Sequence, residues 1–172
     1  SRRRFEVQAL DTKGRVLGTS AVVRPTTVPK AKAAAGTAIG THKTKLGSVL
    51  ATSSAHVLYL FARDGPDRST CSGACAKIWK PMTASGSLSA APKSGVDPKL
   101  LRTIKRSDGT TQVVYDHHSL YTNVADRNAG DMHGEGANEF GGRWYAVNTK
   151  GDSVKPKKGG GVPVCNPLCG GY

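Results

Sequence analysis

Hydrophobic and polar positions alternate over several short stretches of this chain, each bounded by turn residues. The first is "FEVQALDTKGRVLGTSAVV", residues 5–23, where Phe5, Val7 and Ala9 alternate with polar neighbours before "DTKG" and a second apolar run. Period-two alternation broken by Asp and Gly predicts a strand, a turn and a strand. Next comes "RPTTVPKAKAAAG", residues 24–36, whose prolines, small residues and isolated charges are the composition of a linker. A main domain is expected over residues 37–154, followed by a basic Gly/Pro-rich tail, residues 155–172, that carries Cys165 and Cys169.

Inside the main domain one pattern occurs twice. "HVLYLFARD" begins at His56 and "HSLYTNVAD" at His118, so that His56 and His118, Leu58 and Leu120, Tyr59 and Tyr121, and Asp64 and Asp126 fall in register. Each stretch follows an apolar run and a polar turn, "LGSVLAT" before the first and "DGTTQVVYD" before the second, which predicts two hairpins. In an extended strand Tyr59 and Phe61 point to one face while Leu58 and Leu60 point to the other. Both faces are apolar, so this strand is expected to be covered on both sides. Asp64 in "DGPD" and Asp126 before "RNAG" have short acceptor side chains suited to starting a turn. "STCSGACAKIWKPM" predicts a short helix near residues 71–79, capped by Ser69 or Thr70 and ended by Trp79 and Pro81. "RWYAVN" predicts a further strand and "TKGD" a turn, with Trp79 and Trp144 giving one core tryptophan to each unit. The expected fold is therefore mainly β: two tandem hairpin-based repeats sharing one core, with one short helix.

Composition agrees, since 21 Gly and 9 Pro suit a loop-rich β protein better than a helical bundle. The net charge of +13 would draw nucleic acid, anionic lipid or acidic cell-wall polymer. Yet the cations are scattered, with "SRRR" at the start and "KPKK" at 155–158, and no aromatic-interleaved basic stripe exists to stack bases. The expected charged partner is an anionic cell-wall polymer or membrane surface, without specific nucleic-acid binding. No apolar run approaches the roughly 18 residues of a spanning helix. The opening "SRRRFEVQALD" reads as the interior of a longer chain, with an export signal expected upstream.

The doubled Tyr-x4-Asp element, followed by "CSGACAKIWKP" and then "GVDPKLLRTIKRSDGTTQVVYD", resembles the bacterial secreted-repeat lipoprotein family, over roughly residues 40–154. That resemblance implies an extracytoplasmic, often lipid-anchored protein of an actinobacterial or proteobacterial type, and it implies no reaction. Two departures stand out. Asn123 occupies the place of Phe61, where the second unit of the family usually has an aromatic residue. "GDMHGEG" also puts Met132 and His133 into a loop that usually reads like "GDTNGQG". The strand pair at residues 1–23 is similar to the end of a fibronectin type III domain, which implies an upstream module of the same polypeptide.

Cys71/Cys75 and Cys165/Cys169 form two Cys-x3-Cys pairs, and an even count in an exported protein implies disulfides. They can close locally or staple the tail to the first unit. The resemblance carries the first pair without the second, which favours local closure. A zinc site of all four cysteines is the other arrangement. His56, Asp116, His117, His118, Met132 and His133 are candidate ligands for copper or iron, though none has the tight spacing of a known metal motif. No Gly-x-Ser-x-Gly elbow or phosphate loop is present. The expected function is a non-catalytic extracytoplasmic module of a bacterial surface or secreted protein, structural or binding and without a cofactor. The alternatives are a metal-binding or redox protein, and attachment to anionic surface polymers.

Overall fold

The computed structural model describes residues 8–10, 12–14, 16–19 and 36–155. The chain divides into two compact units, Ser1–Ala33 and Ala34–Tyr172. In the first unit, β1 (Gln8–Leu10) pairs antiparallel with β2 (Val16–Thr19) across a turn containing Gly14, at φ 80°. That is the expected strand, turn and strand; Phe5 and Val7 lie outside the described residues.

The second unit begins with a hairpin of β3 (Thr37–Thr44) and β4 (Gly47–Ala51), and β3 also pairs in parallel with β7 (Leu88–Ala90). A matching hairpin of β8 (Leu101–Lys105) and β9 (Thr111–Tyr115) opens the second repeat. After each hairpin the chain turns tightly into the strand that holds the repeated tyrosine: β5 (Tyr59–Phe61) in the first, β10 (His118–Ser119) then β11 (Tyr121–Asn123) in the second. Leu58 N donates to Leu50 O at 2.9 Å and Leu120 N to Val113 O at 3.0 Å, so the two turns are built alike. Both need left-handed backbone, at Ala55 (φ 62°) and at His117 (φ 65°). Asp116 is left-handed as well.

The strands after the motif do not stay with their own repeat. α1 (Ala74–Ile78) leads into β6 (Trp79–Pro81), which pairs with β11 of the second repeat. Near the end, β12 (Asn138–Glu139) turns into β13 (Gly142–Ala146), which pairs with β5 of the first repeat. The resulting sheet runs β12-β13-β5-β11-β6, with Tyr59 opposite Tyr121 at its centre. The register is mirrored: Trp144 lies opposite Phe61, and Trp79 opposite Asn123, the residue in Phe61's place. Backbone bonds repeat the exchange, since Leu50 N donates to Val147 O and Val113 N to Met82 O, each at 2.7 Å. The two repeats are thus related by an approximate twofold axis and interlocked.

Apolar clusters cover both faces of β5. Tyr59 and Phe61 join Val49, Val57, Trp79, Tyr121 and Trp144 in one; Leu58 and Leu60 join Ile39, Leu50, Val113, Tyr115, Leu120 and Val147 in the other. This is the two-sided burial expected from the alternation, and the described residues are mainly β with one short helix, as expected. Each fully buried side chain of this size contributes about 1.5–3 kcal/mol by leaving water.

The helix differs from expectation at its start. Its N-cap is Gly73, at φ 57°, rather than Ser69 or Thr70. Ser69 and Thr70 are engaged elsewhere, as described below. Cys71 and Cys75 close a disulfide whose first cysteine precedes the helix, so the helical spacing that would misalign the pair does not arise. Cys165 and Cys169 lie outside the described residues.

Candidate functional site

The repeated Tyr and Asp do not meet within a repeat. Tyr59 Oη donates to Asp126 Oδ2 at 2.6 Å, and Tyr121 Oη donates to Asp64 Oδ2 at 2.6 Å. Each tyrosine is carried on one of the two central strands, β5 or β11, and each aspartate closes, rather than starts, the tight turn after the other: Asp64 N donates to Phe61 O and Asp126 N to Asn123 O. The second carboxylate oxygen is held by its own turn. Asp64 Oδ1 accepts the Thr70 amide and hydroxyl, each at 2.7 Å, and Asp126 Oδ1 accepts the His133 amide at 2.8 Å. Each aspartate therefore anchors a loop of its own repeat and receives a phenol from the other.

Burial sets the electrostatics. Tyr59 and Tyr121 are fully buried, and burial followed by the adjoining carboxylate pushes both phenols above the ordinary tyrosine range. They are neutral donors at any physiological pH. Burial also raises Asp126, 3% exposed, although the bonds from Tyr59 and His133 oppose that shift.

Around Tyr121 the polar chain is longer. The phenol has one proton, which it gives to Asp64, so the Ser69 hydroxyl 2.6 Å away donates to the Tyr121 oxygen. Arg106 Nη1 donates to Ser69 Oγ and to Gln112 Oε1, and Nη2 donates to Cys71 O. Arg106 also pairs with Asp108, whose carboxyl is held at about 2 by bonds from Thr110 and then Arg106. The relay Arg106, Ser69, Tyr121, Asp64 runs from a cation to an anion, the order in which successive hydrogen bonds polarise one another favourably. Among the described residues Tyr59 has no such relay; Asp126 instead meets His133 Nδ1 at 3.2 Å.

Aromatic packing crosses the same boundary. Trp79 and Trp144 stack at 3.9 Å between ring centroids, with Phe61 stacked on Trp144 at 4.1 Å. Tyr59 packs edge-on to Trp79 and Tyr121 edge-on to Trp144. Gly134 leaves room for this: a Cβ there would stand 2.5 Å from the Trp79 ring. Asn123 supplies no ring to continue the stack; its Oδ1 accepts the Ala125 amide at 2.8 Å and tightens the turn. Met132 packs against the aromatic cluster.

The remaining candidate ligands are dispersed. His56 donates its amide to Thr52 Oγ1, and His118 starts β10 opposite Tyr115. Asp116 and His117 form the turn before it, and His117 Nδ1 lies 2.6 Å from Asp67. His133 lies at Asp126. Among the described residues no three His, Cys, Asp or Glu side chains come together as a metal-holding group.

The profile of a family described as a secreted repeat of unknown function matches the chain twice, over residues 40–83 and 102–148. Together these cover more than half of the chain. The chain belongs to this secreted-repeat family. No curated protein and no solved structure shows a significant match. Each matched segment of the secreted-repeat domain carries one of the two bonded Tyr-x4-Asp elements and one Trp, so the hydrogen bonds and the tryptophan stack join one family unit to the next. No helix among the described residues is long and apolar enough to cross a membrane.

Proposed function

We propose that the secreted-repeat domain is a non-catalytic extracytoplasmic module, a rigid structural or binding unit of a larger surface or secreted protein. The observation that carries this reading is the use made of the repeated residues. Tyr59, Tyr121, Asp64 and Asp126 are spent on one another, with both tyrosines neutral, so the duplicated motif is an internal clasp rather than a pair of reactive groups. The upstream strand pair, a unit separate from this domain and read as the end of a fibronectin-like module, fits a place in a multi-domain polypeptide.

Native mass spectrometry of freshly exported protein, compared with its denatured and unreduced mass, tests the reading. The expected native mass is that of the bare polypeptide lacking its thiol hydrogens. Stoichiometric copper, iron or another group, lost on denaturation, would overturn it in favour of a metal or redox protein built on the histidine loops.

Charge placement supports a second role, attachment to an anionic surface polymer. Residues 36–155 hold 15 Lys and Arg against 10 Asp and Glu, so the flanking segments hold 10 against 2 and most of the net positive charge. A module with basic flanks would be held by charge chiefly through those flanks, with a smaller net positive charge on the core adding to the attraction.

A further inference from the structure

We infer that the face between the two repeats is a self-recognising surface, and that its alternative occupant is the matching repeat of a second copy of this chain. The inference goes beyond the module reading and does not depend on whether the module also binds a ligand. Its basis is reciprocity. A repeat taken alone presents an unpaired buried tyrosine, an unpaired carboxylate and the bare edges of β5 or β11, and the other repeat presents their complements at the twofold-related positions. A surface that is its own complement about a twofold axis is the geometry of an isologous interface.

Nothing covalent among the described residues fastens the repeats together except the chain itself, because the disulfide Cys71–Cys75 lies wholly within the first repeat. The connection runs from β7 through an exposed turn at Pro92–Gly95 to β8. Lys93 in that turn is left-handed at φ 58°, a conformation that favours glycine, and Gly95 follows at φ 75°. A short hinge holding such backbone favours opening into an exchanged dimer, where the turn can extend. In that dimer the first repeat of each copy pairs with the second repeat of the other. Every Tyr–Asp bond, the β6–β11 and β13–β5 ladders and the tryptophan stack are then re-made. Within one chain the tether holds the partner repeat at an effective concentration on the order of millimolar, so the closed monomer prevails in dilute solution and exchange requires opening.

The test uses the full chain. Nitrogen-15-labelled and unlabelled protein are mixed, unfolded and refolded together at high concentration without reductant, then diluted for native mass spectrometry. Dimers of mixed mass, absent when the same samples are mixed without unfolding, are the expected result; monomers alone at every concentration would overturn the inference. Two complementary variants give a second readout, Tyr59→Phe with Asp64→Ala in one chain and Tyr121→Phe with Asp126→Ala in the other. Each lacks both pairs within its own chain, but a mixed dimer regains both at one of its two interfaces. Co-refolding should give heterodimer at least about tenfold above the statistical mix. Variants that fold only when refolded together would support the inference equally, and variants that associate with themselves as readily as with each other would sink it.

Discussion

A phenol 2.6 Å from a carboxylate is a short, charge-assisted bond, and here both ends are shielded from water. Removing the phenol oxygen leaves the aspartate with a lost donor and little solvent to replace it. Tyr59→Phe is expected to lower unfolding free energy by roughly 2–3 kcal/mol. Tyr121→Phe should cost about the same, losing the Asp64 bond and cutting the Arg106 relay, but with Asp64 in a more exposed turn. Urea unfolding followed by tryptophan fluorescence measures both; a change within about 0.5 kcal/mol for either, the range of an ordinary surface substitution, would refute the clasp. Glu135 offers a pH-dependent counterpart. Its Oε2 accepts the Ala146 amide, its Oε1 is buried without a partner, and burial pushes the carboxyl from 4.5 up to about 7. The folded chain therefore binds this proton more tightly than the unfolded chain, so the contribution is complete below pH 4.5 and is lost as pH rises through 7. Glu135→Gln, which keeps the acceptor without the charge, should stabilise the protein by roughly 1–2 kcal/mol at pH 8, after allowing for the water that still reaches the group. The difference should vanish near pH 4; equal stabilisation at both values would refute the assignment.

At the scale of elements, α1 is too short to hold itself together, and its five residues are positioned from outside. The disulfide closes the segment before it, Arg106 grips Cys71 O, and Trp79 anchors the strand that follows. Closing so short a loop contributes about 2 kcal/mol in the chain-entropy account. Replacing Cys71 and Cys75 together by alanine should cost that amount in a thermal melt, with the Trp79 environment retained in the near-ultraviolet spectrum. A collapse of that spectrum at low temperature would mean that the disulfide is required for the interlock itself. The elements also mark what could be read in advance. Leu58 to Phe61 alternate, and the two faces they imply are the two clusters found. The local closure of Cys71 and Cys75, implied by the family resemblance, is present. The helix start is misread because Ser69 and Thr70 are good helix caps in isolation, but Ser69 is held by Tyr121 and Arg106 of the second repeat and Thr70 by Asp64 of its own loop. Arg106 and Gln112 carry no sequence mark of their burial: Arg106 reaches across to Ser69 and Cys71 O of the first repeat, and Gln112 bridges to Thr83 while bonding Leu120 O of its own. Sequence spacing announces a repeated Tyr and Asp, yet carries no mark of which Asp each Tyr meets.

For the whole molecule, crossed strands couple the repeats into one cooperative body. β6 has its ladder partner in the second repeat and β13 in the first, so neither can detach without exposing the other's core. Along the sequence the net positive charge is greatest in the segments before residue 36 and after residue 155. Retention of the full chain on an anionic polymer should therefore fall steeply between roughly 50 and 500 mM salt, as screening shortens the reach of those cations. Retention that persists at high salt would point to a neutral-ligand site instead. The crossed clasp also dictates how such a chain can drift over evolutionary time. Because Tyr59 answers to Asp126 and Tyr121 to Asp64, a change at one position should be compensated in the opposite copy rather than in its own. The expected unit of covariation is the crosswise pair, so an alignment of such chains should show Tyr59 varying with Asp126 and Tyr121 with Asp64.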